Sequence, residues 1–213
     1  MAPEPLKLNS VISSLCVVGA TELFAGWILN RLAITPLLGL TLLRLVQIGA
    51  ILAIVIKQEP NGLGTIGWQP RQWSEGFKKG VIWSAGFALL TACAMAVLAL
   101  MGKSPLTLLR SPLPSAKTEL LLFFLTGILI APVAEELFFR GILYRYFRRW
   151  GVAMALIAST ALFVVLHAHR GLPVTQIVGG LLFAVAYESS GNLMVPITIH
   201  ALGNLAIFSL SLL

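Results

Sequence analysis

Two adjacent glutamates, Glu135 and Glu136, stand inside sequence that is otherwise fit for a bilayer. The run from Leu120 to Leu143 is nearly all hydrocarbon, and Arg140 is its other charge. Each charged side chain at the centre of a membrane costs about 2.5–3.5 kcal/mol on insertion scales. A sequence keeps such groups where they are paired, wet or working. His167, His200 and Asn204 recur in the apolar segments that follow. Carboxylates, imidazoles and a carboxamide are the parts needed to activate water and to stabilise an oxyanion. The composition of this set therefore predicts an active site built below the membrane surface.

Spacing assigns the parts. Glu136 and Arg140 are four residues apart, share a helix face and can pair. A buried ion pair that only fixes helix packing fits the same spacing. Glu135 lies about 100° further round the helix and is the glutamate left to face another group, as general base or as an outer hydrogen bonder. Phe163 and His167 also share a face, whereas His169 and Arg170 read as interfacial residues. His200 and Asn204, again four apart, present an imidazole and a carboxamide side by side. Two donors on one face can hold an oxyanion. They can equally be a metal ligand with its supporting hydrogen bonder, or an interhelical hydrogen-bond pair worth about 0.6 kcal/mol. Gly203 suits close helix approach. Glu22 and Arg44 are read as a structural pair between the first two apolar segments, with a substrate-binding role as the alternative. Glu188 and Asn192 are expected to be solvated.

The elements that must carry these groups follow from composition. The chain is 58% hydrophobic and 11% charged over 213 residues, and its mean hydropathy is +0.92. A soluble domain is about 45–50% apolar and about 25% charged. The fold class is therefore all-α, a polytopic membrane bundle of about seven transmembrane helices, since lipid requires backbone polar groups to be satisfied within each segment. The apolar segments are 11–30, 36–56, 80–101, 118–144, 152–169, 173–188 and 193–212. They divide into 1–117, with N-terminal spans and an amphipathic connection, and 118–213, the core that carries the chemistry. The connection holds Trp68, Trp73 and Phe77 among Arg71, Lys78 and Lys79, as an interfacial segment would. The one after the third segment carries Pro105, Pro112 and Pro114 and reads as irregular.

The net charge of +7 lies mostly in short loops and sets topology, so nucleic acid is not an expected partner. Loops with Lys7, Lys57, Arg71, Lys78, Lys79, Arg145, Arg148 and Arg149 outweigh those with Arg31, Lys103, Arg110, Lys117 and Arg170. That bias predicts a cytoplasmic N-terminus. It also sets Glu135 and His200 near one face and His167 near the other, a mismatch that calls for a shifted boundary or tilted helices. The first apolar run is read as a retained span, because Glu22 interrupts it and no cleavage site follows. Cys16 and Cys93 are read as small core hydrophobes.

Glu135-Glu136-x-x-x-Arg140, Phe163-x-x-x-His167 and His200-x-x-x-Asn204, in this order and within apolar helices, resemble the CPBP intramembrane proteases. These include type II CAAX prenyl endopeptidases and bacterial Abi-like, bacteriocin-processing proteins. The resemblance runs from about Glu119 to Ile207. It implies a membrane endopeptidase in which Glu135 activates the attacking water, aided by His167. His200 and Asn204 would hold the oxyanion, and Glu136, Arg140 and Phe163 would organise the site. The expected substrate is a membrane-embedded or lipid-anchored protein or peptide, cut at a tail, leader or C-terminal sorting segment. The expected location is the bacterial cytoplasmic membrane. The mechanism is read as metal-free, since H-E-x-x-H is missing. Zinc on Glu135, His167 and His200 is the alternative. Two rival functions are a non-catalytic scaffold that binds transmembrane peptides and a proton-relay transporter, which would favour broken-helix repeats.

Overall fold

Long apolar runs bounded by Pro, Gly and Asn decide the elements. The computed structural model describes residues 6–32, 34–103, 109–167 and 173–213. Among them seven helices carry the fold: α1 (Leu8–Leu32), α2 (Pro36–Gln58), α3 (Trp73–Leu100), α4 (Lys117–Trp150), α5 (Val152–His167), α6 (Val174–Ser190) and α7 (Met194–Leu210). The Thr35 hydroxyl accepts from the Leu38 N–H at 3.4 Å, and Pro36 opens α2 where a missing N–H costs nothing. As α7 begins, the Asn192 Oδ1 accepts from the Met194 N–H at 2.9 Å. His169, Arg170 and Pro105 lie outside the described residues.

Helix α4 is the axis of the molecule. Residues from Glu136 to Tyr144 are buried all the way round, the mark of a central helix. Two stretches of α4 widen into π turns, Thr126–Ile130 and Leu137–Tyr144, one on each side of the glutamate pair. The first precedes Pro132, whose ring would otherwise meet the preceding turn's carbonyl; widening there lets the helix pass the proline. Helix α2 packs on the Ala131–Glu136 turn, α5 and α6 pack on the Leu137–Tyr144 stretch, and α7 packs on the first widened turn.

Two boundaries differ from the sequence reading. Helix α3 begins at Trp73 rather than at residue 80, and α4 runs on to Trp150 rather than stopping at 144. The basic residues expected in a loop form the last turns of α4, because each finds an acceptor. Arg145 Nε donates to the Thr65 carbonyl at 2.7 Å and Arg149 Nη2 to the Leu6 carbonyl at 2.7 Å. Arg148 forms a two-pronged pair with Glu188, which also accepts from the Tyr144 hydroxyl at 2.8 Å. Glu188 is thus an anchor rather than a solvated residue, and buried Asn192, which donates to the Gln72 carbonyl at 2.9 Å, is likewise not solvated.

Among the described residues four stretches are long and apolar enough to cross a membrane: Leu8–Trp27, Pro36–Gln58, Gly62–Leu100 and Lys117–Trp150. Helices α5, α6 and α7 have 16, 17 and 17 residues, about 24–26 Å long against a hydrocarbon core of about 30 Å. The turn between α6 and α7 stops where the connection before α3 occupies the space beneath it. Within that connection the turn Gly62–Ile66 buries Ile66 completely against Gly141. The Tyr187 hydroxyl donates to the Ile66 carbonyl at 2.9 Å, and the Leu193 N–H donates to the Gly67 carbonyl at 3.0 Å. Gly67 is at φ +70°, and a Cβ there would run into the Gly191 carbonyl. The α6–α7 turn therefore sits at the level of Gly141, about 13 Å inside the Trp150 end of α4.

Large apolar side chains such as Leu23, Phe24, Trp27, Leu89, Leu90 and Leu100 face outward, as lipid-facing residues do. Cys16 and Cys93 are free and also face outward, so neither is a core residue. No atom approaches a Cβ placed on Gly203, which makes no close helix contact.

Candidate active site

Glu135 and His167 meet because α4 and α5 form an antiparallel hairpin. Glu135 lies 15 residues before Trp150 and His167 lies 15 residues after Val152. Equal distances from the turn put the two at one level, which removes the mismatch left by ending α4 too early. His167 Nε2 is 3.4 Å from Glu135 Oε2, and His200 Nε2 from α7 is 3.8 Å from the same oxygen. Two imidazoles from two helices thus converge on one carboxylate. The Glu135 side chain is 12% exposed, so the cluster is sheltered without being sealed.

Each ring is held from behind. His167 Nδ1 lies 2.7 Å from the Phe163 carbonyl, which can only accept, so Nδ1 carries the hydrogen. The Phe163 ring stacks on the imidazole, with centroids 4.2 Å apart. His200 Nδ1 lies 2.8 Å from Glu136 Oε1, and Phe183 of α6 stacks on its ring at 4.6 Å. Both histidines therefore turn Nε2 towards Glu135.

Glu136 and Arg140 are fully buried and pair at 3.1 Å through Oε1, the atom that also faces His200. Arg140 Nη2 donates to the Gly180 carbonyl at 2.9 Å, and its guanidinium lies over the rings of Phe163 and Phe183. Gly180 is needed because a Cβ there would press on Phe163 and Thr160. Arg140 thus ties α4 to α6 and supports the two rings that stack on the histidines. The ion pair predicted from spacing exists, and its role extends beyond packing.

Asn204 is placed one turn beyond His200. Its Nδ2 donates to the Gly127 carbonyl at 2.7 Å, within the first widened turn of α4. That leaves one amide hydrogen for another acceptor. Phe183, the Gly180 carbonyl and the Gly127 carbonyl are site components that spacing did not single out. Phe183 had a weak signal as an aromatic among apolar residues, and a backbone carbonyl has none.

Among the described residues no group of three His, Cys, Asp or Glu side chains is placed to hold a metal ion.

Fold and site together define an all-helical integral membrane protein with a carboxylate–imidazole cluster inside its bundle. The family model for type II CAAX prenyl endopeptidase Rce1-like proteins matches residues 117–206 of the chain. The chain is also similar to an uncharacterized 24.3 kDa protein of Escherichia coli, 32% identical over 88 residues, which are 38% of this chain and 41% of that protein. The match thus spans about two fifths of the relative's length. No solved structure matches the chain.

Proposed function

We propose that this protein is an intramembrane endopeptidase that hydrolyses a peptide bond with a water activated by Glu135. The observation that carries the reading is the convergence of His167 Nε2 and His200 Nε2 on Glu135 Oε2. Glu135 takes a proton from water as the water attacks the scissile carbonyl carbon. His167 shares that proton and positions the carboxylate. Attack drives the carbonyl electron pair onto oxygen, where the free amide hydrogen of Asn204, with His200 when its Nε2 is protonated, donates to the charge. Collapse reforms the carbonyl, breaks the C–N bond and returns the proton to the leaving amine. Glu136, Arg140 and Phe163 hold the imidazoles in place. The reading needs no metal.

The substrate is a membrane-embedded or lipid-anchored protein or peptide, cut at a tail, leader or C-terminal sorting segment. We place the protein in the bacterial cytoplasmic membrane, with the end that carries Lys7 and Arg145–Arg149 facing the cytoplasm. Contacts of Arg149 with Leu6 and of Arg145 with Thr65 put those basic residues at one end of the bundle.

The test compares peptide termini in the membrane proteome of cells that carry the wild-type protein or Glu135→Gln. A terminus made only by the wild type supports proteolysis and names the substrate. Identical termini, with both proteins inserted and folded, would move the reading to a scaffold that binds transmembrane peptides.

A further inference from the structure

A second polar cluster lies beside the first. On α2, Arg44 Nη1 donates to Gln47 Oε1 at 2.7 Å and to Glu22 Oε1 of α1 at 2.5 Å. Gln47 Nε2 donates to Thr21 Oγ1 at 2.8 Å and to Glu22 Oε1 at 3.1 Å. The pair predicted between the first two spans is therefore present. Its asymmetry points elsewhere. Glu22 is about half exposed, with a side-chain exposure of 47%, whereas Arg44 is at 17%. Every hydrogen bond of Arg44 in this cluster leaves from Nη1, and Nε is buried with no acceptor.

An unmatched buried N–H costs about 1–3 kcal/mol, and more on a charged group. The neighbours suggest why this one is kept. One turn before Arg44, Thr41 meets Thr126 of α4, hydroxyl to hydroxyl at 2.7 Å, at the start of the first widened turn. Helix α2 packs on the Ala131–Glu136 turn that presents Glu135. Arg44 lies about one turn along α2 from the Thr41–Thr126 contact, on the side of α2 that meets α4. Meanwhile both ring nitrogens of His200 already face carboxylates, and Asn204 spends one amide hydrogen on Gly127. The site as predicted from sequence is short of free donors for a developing negative charge.

The geometry points to Arg44 as a further catalytic residue whose free guanidinium N–H groups donate to the carbonyl oxygen of the scissile bond as it becomes an oxyanion. This rests on the hydrolytic reading above. Nη1, tied to Gln47 and Glu22, anchors the fork, and Nε, which has no acceptor, is the N–H left to donate. When water adds to the carbonyl carbon and its proton passes to Glu135, the displaced π pair settles on oxygen beside a fixed positive charge. The charge is released when the carbonyl reforms and the C–N bond breaks. No other reactant is needed.

The probe is a synthetic peptide spanning the terminus mapped in wild-type cells, cleaved by purified full-length protein in detergent. Removing one oxyanion donor costs about 100-fold to 1000-fold in kcat. Arg44→Met is expected to lower kcat by about 100-fold with KM within about threefold of wild type. Arg44→Lys, which keeps the charge without the fork, falls between the two. Glu22→Gln, which removes the ion pair but keeps an acceptor for Arg44 Nη1, is expected to lower kcat less than Arg44→Met does, with melting unchanged. A purely structural Arg44 predicts instead that Glu22→Gln and Arg44→Met lose activity and thermal stability together, and that result overturns the proposal. So does an unchanged kcat in Arg44→Met. If Arg44→Met does not insert, Arg44→Lys decides: a lower kcat at unchanged KM and unchanged melting supports the role, and wild-type kcat overturns it. A wild type no more active than Glu135→Gln removes the hydrolytic reading and this inference with it. An active wild type, a dead Glu135→Gln and an unaffected Arg44→Met remove this inference alone.

Discussion

His167 Nε2 faces Glu135 Oε2 at 3.4 Å while the Nδ1 of the same ring is committed to the Phe163 carbonyl. With Nδ1 protonated, a neutral His167 would turn a lone pair towards a carboxylate oxygen that also carries only lone pairs. A proton on either partner makes the contact attractive. The two side chains therefore form a dyad suited to hold one proton and to pass it on, which is what hydrolysis asks of a base that later serves as an acid.

Glu135→Gln keeps the size of the side chain and removes its basicity. Peptide cleavage is expected to fall by at least about 100-fold. Insertion and thermal melting in detergent should stay at wild-type values, because Glu135 makes no contact that glutamine cannot roughly replace. Cleavage at the wild-type rate would end the assignment of Glu135 as the base.

Glu136 and Arg140 are fully buried, so breaking their pair from one side leaves a stranded charge. Arg140→Met is expected to destabilise the protein by about 3–5 kcal/mol. The double change Glu136→Leu with Arg140→Met should recover part of that stability and none of the activity, since the support behind His200 stays lost. Chemical denaturation in mixed micelles reads the first effect and peptide cleavage the second.

Phe183→Leu removes the ring that stacks on His200 at 4.6 Å and lies over by Arg140. The imidazole gains freedom in its plane while its bond to Glu136 remains. A fall in kcat of about tenfold to 100-fold with little change in KM is expected, measured on the same peptide. An effect on KM alone would mean that Phe183 lines the substrate path instead.

Gly67 combines φ +70° with a carbonyl of Gly191 where its Cβ would go. Gly67→Ala should cost about 2–3 kcal/mol and loosen the seat of α6 and α7. Thermal melting should show the loss, and Gly102→Ala, also at φ +72° but in open space, should lose less.

Metal removal separates the metal-free reading from the zinc alternative. Treatment with a strong chelator, followed by metal analysis of the purified protein, is expected to leave cleavage unchanged with zinc far below one ion per chain. Loss of cleavage that returns on adding zinc would assign Glu135, His167 and His200 as ligands instead.

The helical class and the membrane habit were legible in the sequence, because bilayer burial leaves a compositional mark on every segment. The pairing of Glu136 with Arg140 was legible too, since four residues along a helix are neighbours whatever surrounds them. So was the shared helix face of Phe163 and His167, for the same local reason. Tertiary structure decided what no local spacing carries. The continuation of α4 to Trp150 depends on carbonyls of Leu6 and Thr65 that are distant in the chain, and it alone brings Glu135 level with His167. The level at which α6 turns into α7 depends on Ile66 and Gly67 being tucked beneath that turn. Arg44 and Glu22 were visible as a pair, but the unmatched Nε and the neighbourhood of Glu135 belong to the packing of α2 on α4. Local rules fix which residues share a face, and only the assembled bundle fixes which faces meet.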